Sequence, residues 1–460
     1  MKNDKEYKMP ISLVYLGVML AVICLWFLLF KRPIYESVLV SFIVLLAVTG
    51  KWTSVWSYID EALSTSLLFS MAAFVAMSLI LTRTRIIDGA ISIVLSIVGR
   101  IRGGAGYASV IASAFMGSLS GSGPGNVMAT GVITIPAMKK SGFPAELAAN
   151  IESTSSCLGN MIPPSSNIIA AFGAYMAFAP GSDLTEAKFW IVLWGLSLWF
   201  ILQRILTVWG FCVYYKVEPM AKEEVPSLKE TVKNNWQGLL LPIIVMLPFV
   251  LDFLLKDSFF TARLGAVGAS YFSKSLLVLV PGLVSLVCIL FAKEKKNFTP
   301  NKIADILAKS VKSIAPVVCT CLFGYMIGAL FADLDVAADL GIFMTSIGLG
   351  KFGTVIFITL LTCFLGMVIP GSSLVVIFGE VIIATFAAVG IDPILAAAML
   401  PCICGVMCGI TPPLALGMYA GMSIAESDFG KTVKNDLWWV ALQFILQAVI
   451  LMGWLPILGL

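Results

Sequence analysis

Long apolar segments with few charges are the feature that most limits what this chain can fold into. A helix that crosses a bilayer needs about 20 predominantly apolar residues. Runs of about that length, or nearly so, cover residues 11–30, 34–48, 66–81, 189–215, 238–255, 275–291, 314–331 and 438–457. Charged residues make up only 12% of the chain, against about 25% in soluble domains. The sequence therefore predicts an all-α polytopic membrane protein in contact with membrane lipid, and it excludes a cytosolic enzyme, a secreted domain and a nucleic-acid binder.

The residue types of common catalytic and metal sites are missing from the sequence. The chain contains no histidine, which removes histidine metal ligands, histidine general bases and Ser-His-Asp triads. The ten cysteines show no zinc or disulfide spacing, and we expect most of them to be small core residues. The chain is predicted not to be an enzyme and to use no organic cofactor. A membrane-embedded enzyme and a channel are weaker alternatives.

Two apolar stretches are interrupted by Gly, Pro, Ser and Thr, and they resemble each other. They cover residues 103–179 and 352–425, and each has a Gly/Ser break, then an Ala-rich run, then a Pro-Pro pair. Gly123 precedes Pro163 by about the same distance as Gly371 precedes Pro412. Duplicated, interrupted segments in the two halves of a membrane protein are typical of a transporter binding site.

Charge placement predicts that the two copies are inverted. The first stretch is flanked by Arg100 and Arg102 and by Lys139 and Lys140, so both of its flanks should face the cytoplasm. A segment that begins and ends on one side is a re-entrant hairpin, here with its tip at 120–126. Its second arm, 127–138, would span only about 18 Å. The second stretch has Lys351 and Asp392 at its flanks and is expected to have its ends outside. The predicted fold has inverted repeats, each with a re-entrant helical hairpin and a Pro-Pro broken transmembrane helix.

Each broken helix is a candidate cation site, because a break frees backbone carbonyls that suit a hard cation such as Na⁺. In the first repeat the candidates are Ser120, Ser122, Gly123, Asn126, Asn160 and Pro163. In the second repeat they are Gly371, Ser372, Ser373, Gly409, Thr411 and Pro412. The alternative is that these small residues only kink helices or allow close packing. Sodium is the only metal ion expected.

Glu152 is an ionisable residue within a predicted span, which is costly and indicates a function. It could pair with a bound cation, transfer a proton, or anchor the hairpin by hydrogen bonds, and a position near the membrane interface is the alternative. We group it with Ser155, Ser165 and Asn167 as candidate residues for substrate binding or coupling. Glu380 is the second buried-acid candidate, for which a structural role is favoured.

Two strings resemble a known family. The segment SGSGPGNVMATGVITIPAMKKSGFPAELAANIESTSSCLGNMIPPS resembles a signature of the large membrane subunit of tripartite ATP-independent periplasmic (TRAP) transporters. The segment GITPPLALGMYAGMSIAESDFGKT resembles the matching signature of that family's second half. The resemblance implies a sodium-driven importer of an organic acid or similar carboxylate in the cell inner membrane. It also implies two partners, an extracytoplasmic substrate-binding protein and a small membrane subunit.

A stand-alone Na⁺- or H⁺-coupled anion carrier of the same architecture, with no binding protein, is the alternative function. In either case the resemblance implies an elevator-type mechanism, in which a transport domain slides against a static scaffold. The implied scaffold comprises residues 1–102, with N-terminal helices and an arm, and residues 186–350, with further helices, a linker and a second arm. The implied transport domain comprises the first repeat, 103–185, and the second repeat, 351–430. Residues 431–460 form a C-terminal helix in this division.

Overall fold

A computed structural model describes residues 11–460 except positions 65, 85, 121–122, 222, 224, 293–295, 297, 337–338, 340–341, 344–345, 347, 368 and 413. The described N-terminal helices are α1 (Ile11–Cys24), α2 (Ile34–Thr49), α3 (Val55–Ser64), α4 (Ser66–Thr84) and α5 (Ile86–Val98). Gly50 ends α2 with a φ of 69°, a left-handed conformation that glycine adopts without a steric penalty. The helix α5 lies within residues 1–102, for which scaffold helices and an arm are expected.

The first interrupted stretch folds into α6 (Gly104–Ser120), α7 (Gly123–Lys140), α8 (Ala145–Leu158) and α9 (Ser166–Phe178). The helix α7 has 18 residues and a length of about 27 Å, so it is longer than the predicted arm 127–138. Pro124 does not prevent this extension because it lies in the first turn, where a missing N–H breaks no helical hydrogen bond. We call α6 and α7 the first hairpin, and residues 159–165 the first break.

The middle of the chain forms α10 (Glu186–Tyr214), α11 (Leu228–Asn235), α12 (Gln237–Leu255), α13 (Thr261–Phe291) and α14 (Pro300–Asp333). The second interrupted stretch forms α15 (Gly350–Gly366), α16 (Gly371–Ala388), α17 (Pro393–Leu400), a π-helical segment Pro401–Val406, α18 (Met407–Ile410), α19 (Leu416–Ala425) and the C-terminal α20 (Phe429–Leu451). We call α15 and α16 the second hairpin, and residues 411–415 the second break.

Among the described residues, four helical segments are long and apolar enough to cross a membrane: Glu186–Tyr214, Ile314–Asp333, Gly371–Ala388 and Pro393–Ile410. Three bent helix pairs raise this number to seven if each pair is one span. The apolar helix Ile34–Thr49 covers the predicted run 34–48 and is shorter than the roughly 20 residues of a full span. The chain is an all-α, multi-pass membrane protein.

The described helices pack in two groups. In the first group α4 packs on α13, and α14 packs on α2, α3 and α4. In the second group α6, α7 and α8 pack on one another, α19 packs on α7 and α8, and α9 packs on α16. The helices α10 and α20 also contact the second group, mainly through α17, α6 and α8. The two groups meet where α4 contacts α9 and where α14 contacts α16.

Both ends of the first hairpin reach the same end of the molecule. Arg102, which precedes α6, donates hydrogen bonds to the carbonyls of Val217 and Cys212 at 2.9 and 3.0 Å. The backbone N–H of Glu218 donates to the carbonyl of Ser141, just after α7, at 3.1 Å. We call this region the basic end, and it includes Arg100, Arg102, Lys139, Lys140, Lys216, Lys431 and Lys434. The positive-inside rule predicts that the basic end faces the cytoplasm.

Candidate functional site

The first break interrupts a helix that is buried from Leu147 to Tyr175. After α8 the chain makes a 3₁₀ turn at Gly159–Met161 and becomes extended at Ile162. The hydroxyl of Ser165 caps α9 by accepting a hydrogen bond from the N–H of Asn167 at 3.3 Å. Pro163, Ser165 and Asn167 are buried. This break therefore places helix-end backbone groups inside the protein, which is tolerated only where protein or a polar cavity satisfies them.

The second break follows the same pattern at the other interrupted helix. Thr411 has extended backbone angles and ends α18, and the chain becomes helical again at Leu416. The hydroxyl of Thr411 donates to the carbonyl of Met407 at 2.7 Å. Pro412 is half-buried and Gly409 is buried. Helix breaks therefore lie at Pro163 and next to Pro412, while Pro413 lies outside the described residues.

The two interrupted helices contact each other close to their breaks. The side-chain amide of Asn160 donates to the carbonyl of Gly405 at 3.3 Å. A Cβ atom on Gly405 would lie 3.1 Å from Nδ2 of Asn167. The Oδ1 atoms of Asn160 and Asn167 are both buried, and neither has a hydrogen-bond partner among the described residues. Two orphaned acceptor oxygens therefore lie where the repeats meet, and a buried acceptor without a partner is costly.

The tip of the first hairpin is seated against the end of α8. A Cβ atom on Gly159 would lie 2.3 Å from Cα of Gly117 in α6, so the two backbones touch. A Cβ atom on Gly123 would lie 2.8 Å from Sγ of Cys157. Asn126 uses its amide nitrogen to donate to Ser113 O at 2.7 Å and to the hydroxyl of Ser156 at 2.9 Å.

Of the predicted tip residues, Gly123 and Asn126 therefore contact the first interrupted helix directly. Ser120 is the last residue of α6, and Ser122 lies outside the described residues.

The tip of the second hairpin is seated on the other interrupted helix. The N–H of Gly371 lies 2.9 Å from Sγ of Cys408, and a Cβ atom on Gly371 would lie 2.5 Å from Cα of Gly405. Ser373 is buried and Ser372 is half-buried. A Cβ atom on Gly409 would lie 2.4 Å from Sγ of Cys157, so both interrupted helices also touch through this pair.

Glu152 is fully buried and receives hydrogen bonds from hydroxyl groups on three helices. Oε1 accepts from Ser113 and Ser156, each at 2.8 Å, and also from Thr130. Oε2 accepts from Ser109 at 2.7 Å and from Thr134 at 2.5 Å. We call Glu152 and these residues the carboxylate cluster. It ties both arms of the first hairpin to α8.

Sequence reasoning identified Glu152 but missed its partners. The signal that could have found them is spacing, because 109/113, 130/134 and 152/156 are each i,i+4 pairs of polar residues in apolar surroundings. Residues four apart share one helix face. Ser155 does not join the cluster, because its hydroxyl donates to the carbonyl of Ile151 in its own helix at 2.6 Å.

A second set of buried polar side chains, which the sequence pattern did not predict, lies around α20. Arg204 of α10 is fully buried, and Asp436 of α20 is 1% exposed. The amide of Asn150 donates to Asp436 at 3.2 Å. Gln443 and Gln447 approach Sγ of Cys402 at 2.8 and 3.3 Å. These contacts join α8, the π-helical segment and α20 within an apolar environment.

Comparisons with known proteins agree with this architecture. The family model described as "Tripartite ATP-independent periplasmic transporter, DctM component" matches residues 15–458. The C4-dicarboxylate TRAP transporter large permease protein DctM of Rhodobacter capsulatus is 24% identical over 383 residues, covering 80% of each chain. The sialic acid TRAP transporter large permease protein SiaM of Vibrio cholerae is 22% identical over 356 residues, covering 77% of each chain.

A solved structure shows the same fold at low sequence identity. MtrF of Neisseria gonorrhoeae, which is described with a class of antimetabolite efflux pumps, superposes with a TM-score of 0.65 at 15% identity. The match covers 88% of this chain and 85% of that one. Because the family model spans nearly the whole chain, this protein belongs to the DctM component family of tripartite ATP-independent periplasmic transporters.

Proposed function

We propose that this chain is the membrane subunit of a sodium-coupled importer, located in the cytoplasmic membrane, that takes up an organic acid or similar carboxylate. The observation that best supports this proposal is the contact between the two breaks, where Oδ1 of Asn160 and Oδ1 of Asn167 are buried without a hydrogen-bond partner in the described part of the chain. Oxygen ligands of this kind suit a hard cation, and unwound backbone near the midplane coordinates Na⁺ in other transporter folds.

The proposed inverted repeats are supported by reciprocal packing. The second arm of each hairpin packs on the helix that follows the break of the other repeat, so α7 packs on α19 and α16 packs on α9. Each hairpin tip also has a glycine against a cysteine that precedes the break of its own repeat, Gly123 against Cys157 and Gly371 against Cys408. Equivalent contacts in two copies are expected when the copies share one fold.

We propose an elevator-type motion in which the second packing group moves against the first. We include residues 186–214 and 429–451 in the proposed transport domain, because α10 and α20 pack mainly on α6, α8 and α17. This grouping extends the sequence-based division, which assigned α10 to the scaffold and α20 to a separate C-terminal helix.

The proposed substrate class and partners rest on relatives. The names of the two permeases above refer to a C4-dicarboxylate and to sialic acid, and both are carboxylates. The family name refers to a tripartite system. We therefore propose that the substrate arrives on an extracytoplasmic binding protein and that a small membrane subunit completes the transporter.

Within this proposal Glu152 is a positioning residue. Its two oxygens already accept hydrogen bonds from five hydroxyl groups, and charge-assisted hydrogen bonds of this kind are the stronger class. The contacts therefore favour the anchoring role over direct binding of substrate. Anchoring keeps Asn126 and the hairpin tip at a fixed distance from the first break.

Uptake into proteoliposomes tests the proposed function. The chain and its small subunit would be reconstituted, and uptake of radiolabelled succinate and sialic acid would be measured with and without a purified binding protein. We expect uptake that needs both an inward Na⁺ gradient and the binding protein. Uptake driven by a proton gradient alone would contradict sodium coupling. Uptake without any binding protein would favour the stand-alone carrier.

Removing the two orphaned oxygens should weaken sodium binding. A ligand that binds only the folded protein raises its melting temperature by mass action. One ligand oxygen contributes about 1.4 kcal/mol to the free energy of Na⁺ binding, which corresponds to about a tenfold change in affinity. In the double variant Asn160→Ala/Asn167→Ala, the Na⁺ concentration for half-maximal stabilisation should therefore rise about tenfold or more. Thermal melts in NaCl and in choline chloride at equal ionic strength measure this shift.

Asn150→Ala is the matched control, because Asn150 is a buried asparagine of the same interrupted helix that bonds Asp436 instead. This control should melt at a lower temperature but keep its response to Na⁺. An unchanged Na⁺ response in the double variant would remove these oxygens from the proposed cation site.

A further inference from the structure

An open groove lies between α10 and α20 at the basic end. Its volume is about 680 Å³, and its lining includes Lys431, Lys434, Glu146, Tyr214 and Trp438. The two helices make few contacts with each other here, which leaves the groove open to the surroundings. No described residue of the hairpin tips or of the breaks lines it, so it is separate from the proposed transport site.

The charges in the groove match a phosphate group with a hydroxyl donor beside it. Lys431 and Lys434 are exposed, and neither forms an ion pair with any part of the chain that the structure describes. Glu146 is half-buried in the first turn of α8 and can accept a hydrogen bond. The carboxylate of Asp428 accepts from the N–H of Lys431 at 2.9 Å, so it caps α20.

The walls of the groove match the interface of a membrane. Tyr214 is 76% exposed and Trp438 is 64% exposed, although Tyr214 lies at the end of one long apolar segment and Trp438 at the beginning of another. Aromatic side chains gather at the headgroup level of bilayers, and lysines beside cytoplasmic helix ends attract anionic lipids. Two lysines without an ion-pair partner among the described residues are suited to the phosphate of a lipid headgroup, and the aromatic side chains beside them are suited to the first carbons of its acyl chains.

We propose that this groove binds one anionic phospholipid of the cytoplasmic leaflet. The phosphate lies between Lys431 and Lys434, the Glu146 carboxylate accepts a hydrogen bond from a headgroup hydroxyl, and the acyl chains run along the exposed aromatic face. A glycerol headgroup has the required hydroxyls, whereas a choline headgroup has none. The lipid would fill the gap between α10 and α20 and hold the two helices together.

Native mass spectrometry tests this proposal. The full chain would be released from nanodiscs that contain equal amounts of phosphatidylglycerol and phosphatidylcholine. We expect retention of one phosphatidylglycerol by the unmodified protein. In Lys431→Gln/Lys434→Gln its affinity should be about 30-fold lower, which corresponds to about 1 kcal/mol per lysine near a lipid surface. Lys229→Gln/Lys233→Gln, on α11, removes the same charge elsewhere and should retain the lipid.

Equal retention of the two lipids would overturn the proposal, and so would equal loss in both double variants. Complete displacement by soluble glycerol phosphate would assign the groove to a free phosphate ester and would also overturn it. A second measurement uses brominated phosphatidylglycerol, which quenches nearby tryptophan fluorescence. The quenched fraction should fall in Trp438→Phe, and an unchanged fraction would contradict binding in this groove.

Discussion

Replacing Glu152 with alanine should destabilise the protein by about 4 kcal/mol, because two buried hydroxyls without an acceptor cost about 1–3 kcal/mol each. Ser113, Thr130 and Thr134 each have a second acceptor within reach in the described structure. Ser109 and Ser156 donate to Glu152 and have no other acceptor among the described residues. The loss should appear as a lower melting temperature and as unfolding at a lower denaturant concentration.

A conservative variant separates anchoring from charge. Glu152→Gln keeps one acceptor oxygen and the side-chain volume, so its free energy of unfolding should fall by only about 1–2 kcal/mol. Glu230→Ala, at an exposed position of α11, is the control for removing an acid and should stay within about 0.5 kcal/mol of the unmodified protein.

Measurements on the two Glu152 variants also distinguish a positioning role from proton transfer. A positioning role predicts that Glu152→Gln retains Na⁺-driven uptake, with a shifted Na⁺ concentration for half-maximal uptake. Complete loss of uptake in a stable Glu152→Gln protein would instead support a proton-transfer role. Wild-type stability in Glu152→Ala would contradict the anchoring interpretation.

Replacing Gly159 with alanine should prevent the first hairpin from seating on α8. The added Cβ atom would lie 2.3 Å from backbone atoms of Gly117 and 2.6 Å from the backbone N of Ser118. Backbone atoms cannot rotate away as a flexible side chain can, so α6 must move outward. Overpacking costs about 1–3 kcal/mol, occasionally more, and contacts this short favour the upper end. We expect a lower melting temperature and no saturable stabilisation by Na⁺.

Two further glycine variants show whether the close approach is the cause. Gly117→Ala should have a similar effect, because its Cβ atom would lie 2.6 Å from the carbonyl oxygen of Ser156. A Cβ atom on Gly282 in α13 would have no atom of the described residues within 4 Å, so Gly282→Ala should be neutral or stabilising by up to about 1 kcal/mol through helix propensity. Equal behaviour of all three variants would rule out the close-approach explanation.

The sequence by itself determined the class of protein and the positions of both breaks. In a membrane each backbone polar group must be satisfied within its own segment, so apolar runs mark helices and Gly, Ser and Pro mark interruptions. The helix ends at Leu158 and Ile410 lie close to Pro163 and Pro412 as predicted. The Pro-Pro positions could be found from sequence because their effect on the backbone is local.

Only the tertiary structure decided which side chains meet. Asn160 and Gly405 are 245 residues apart in sequence, and the donors to Glu152 come from three helices. Polar spacing predicts that Ser109 and Ser113 share a helix face, but not which helix that face contacts. Helix-to-helix contact depends on the packing of surfaces from distant segments, and no local period in the sequence specifies it. That packing also brings five hydroxyl groups to Glu152 and leaves Oδ1 of Asn160 and of Asn167 without a partner among the residues that the structure describes.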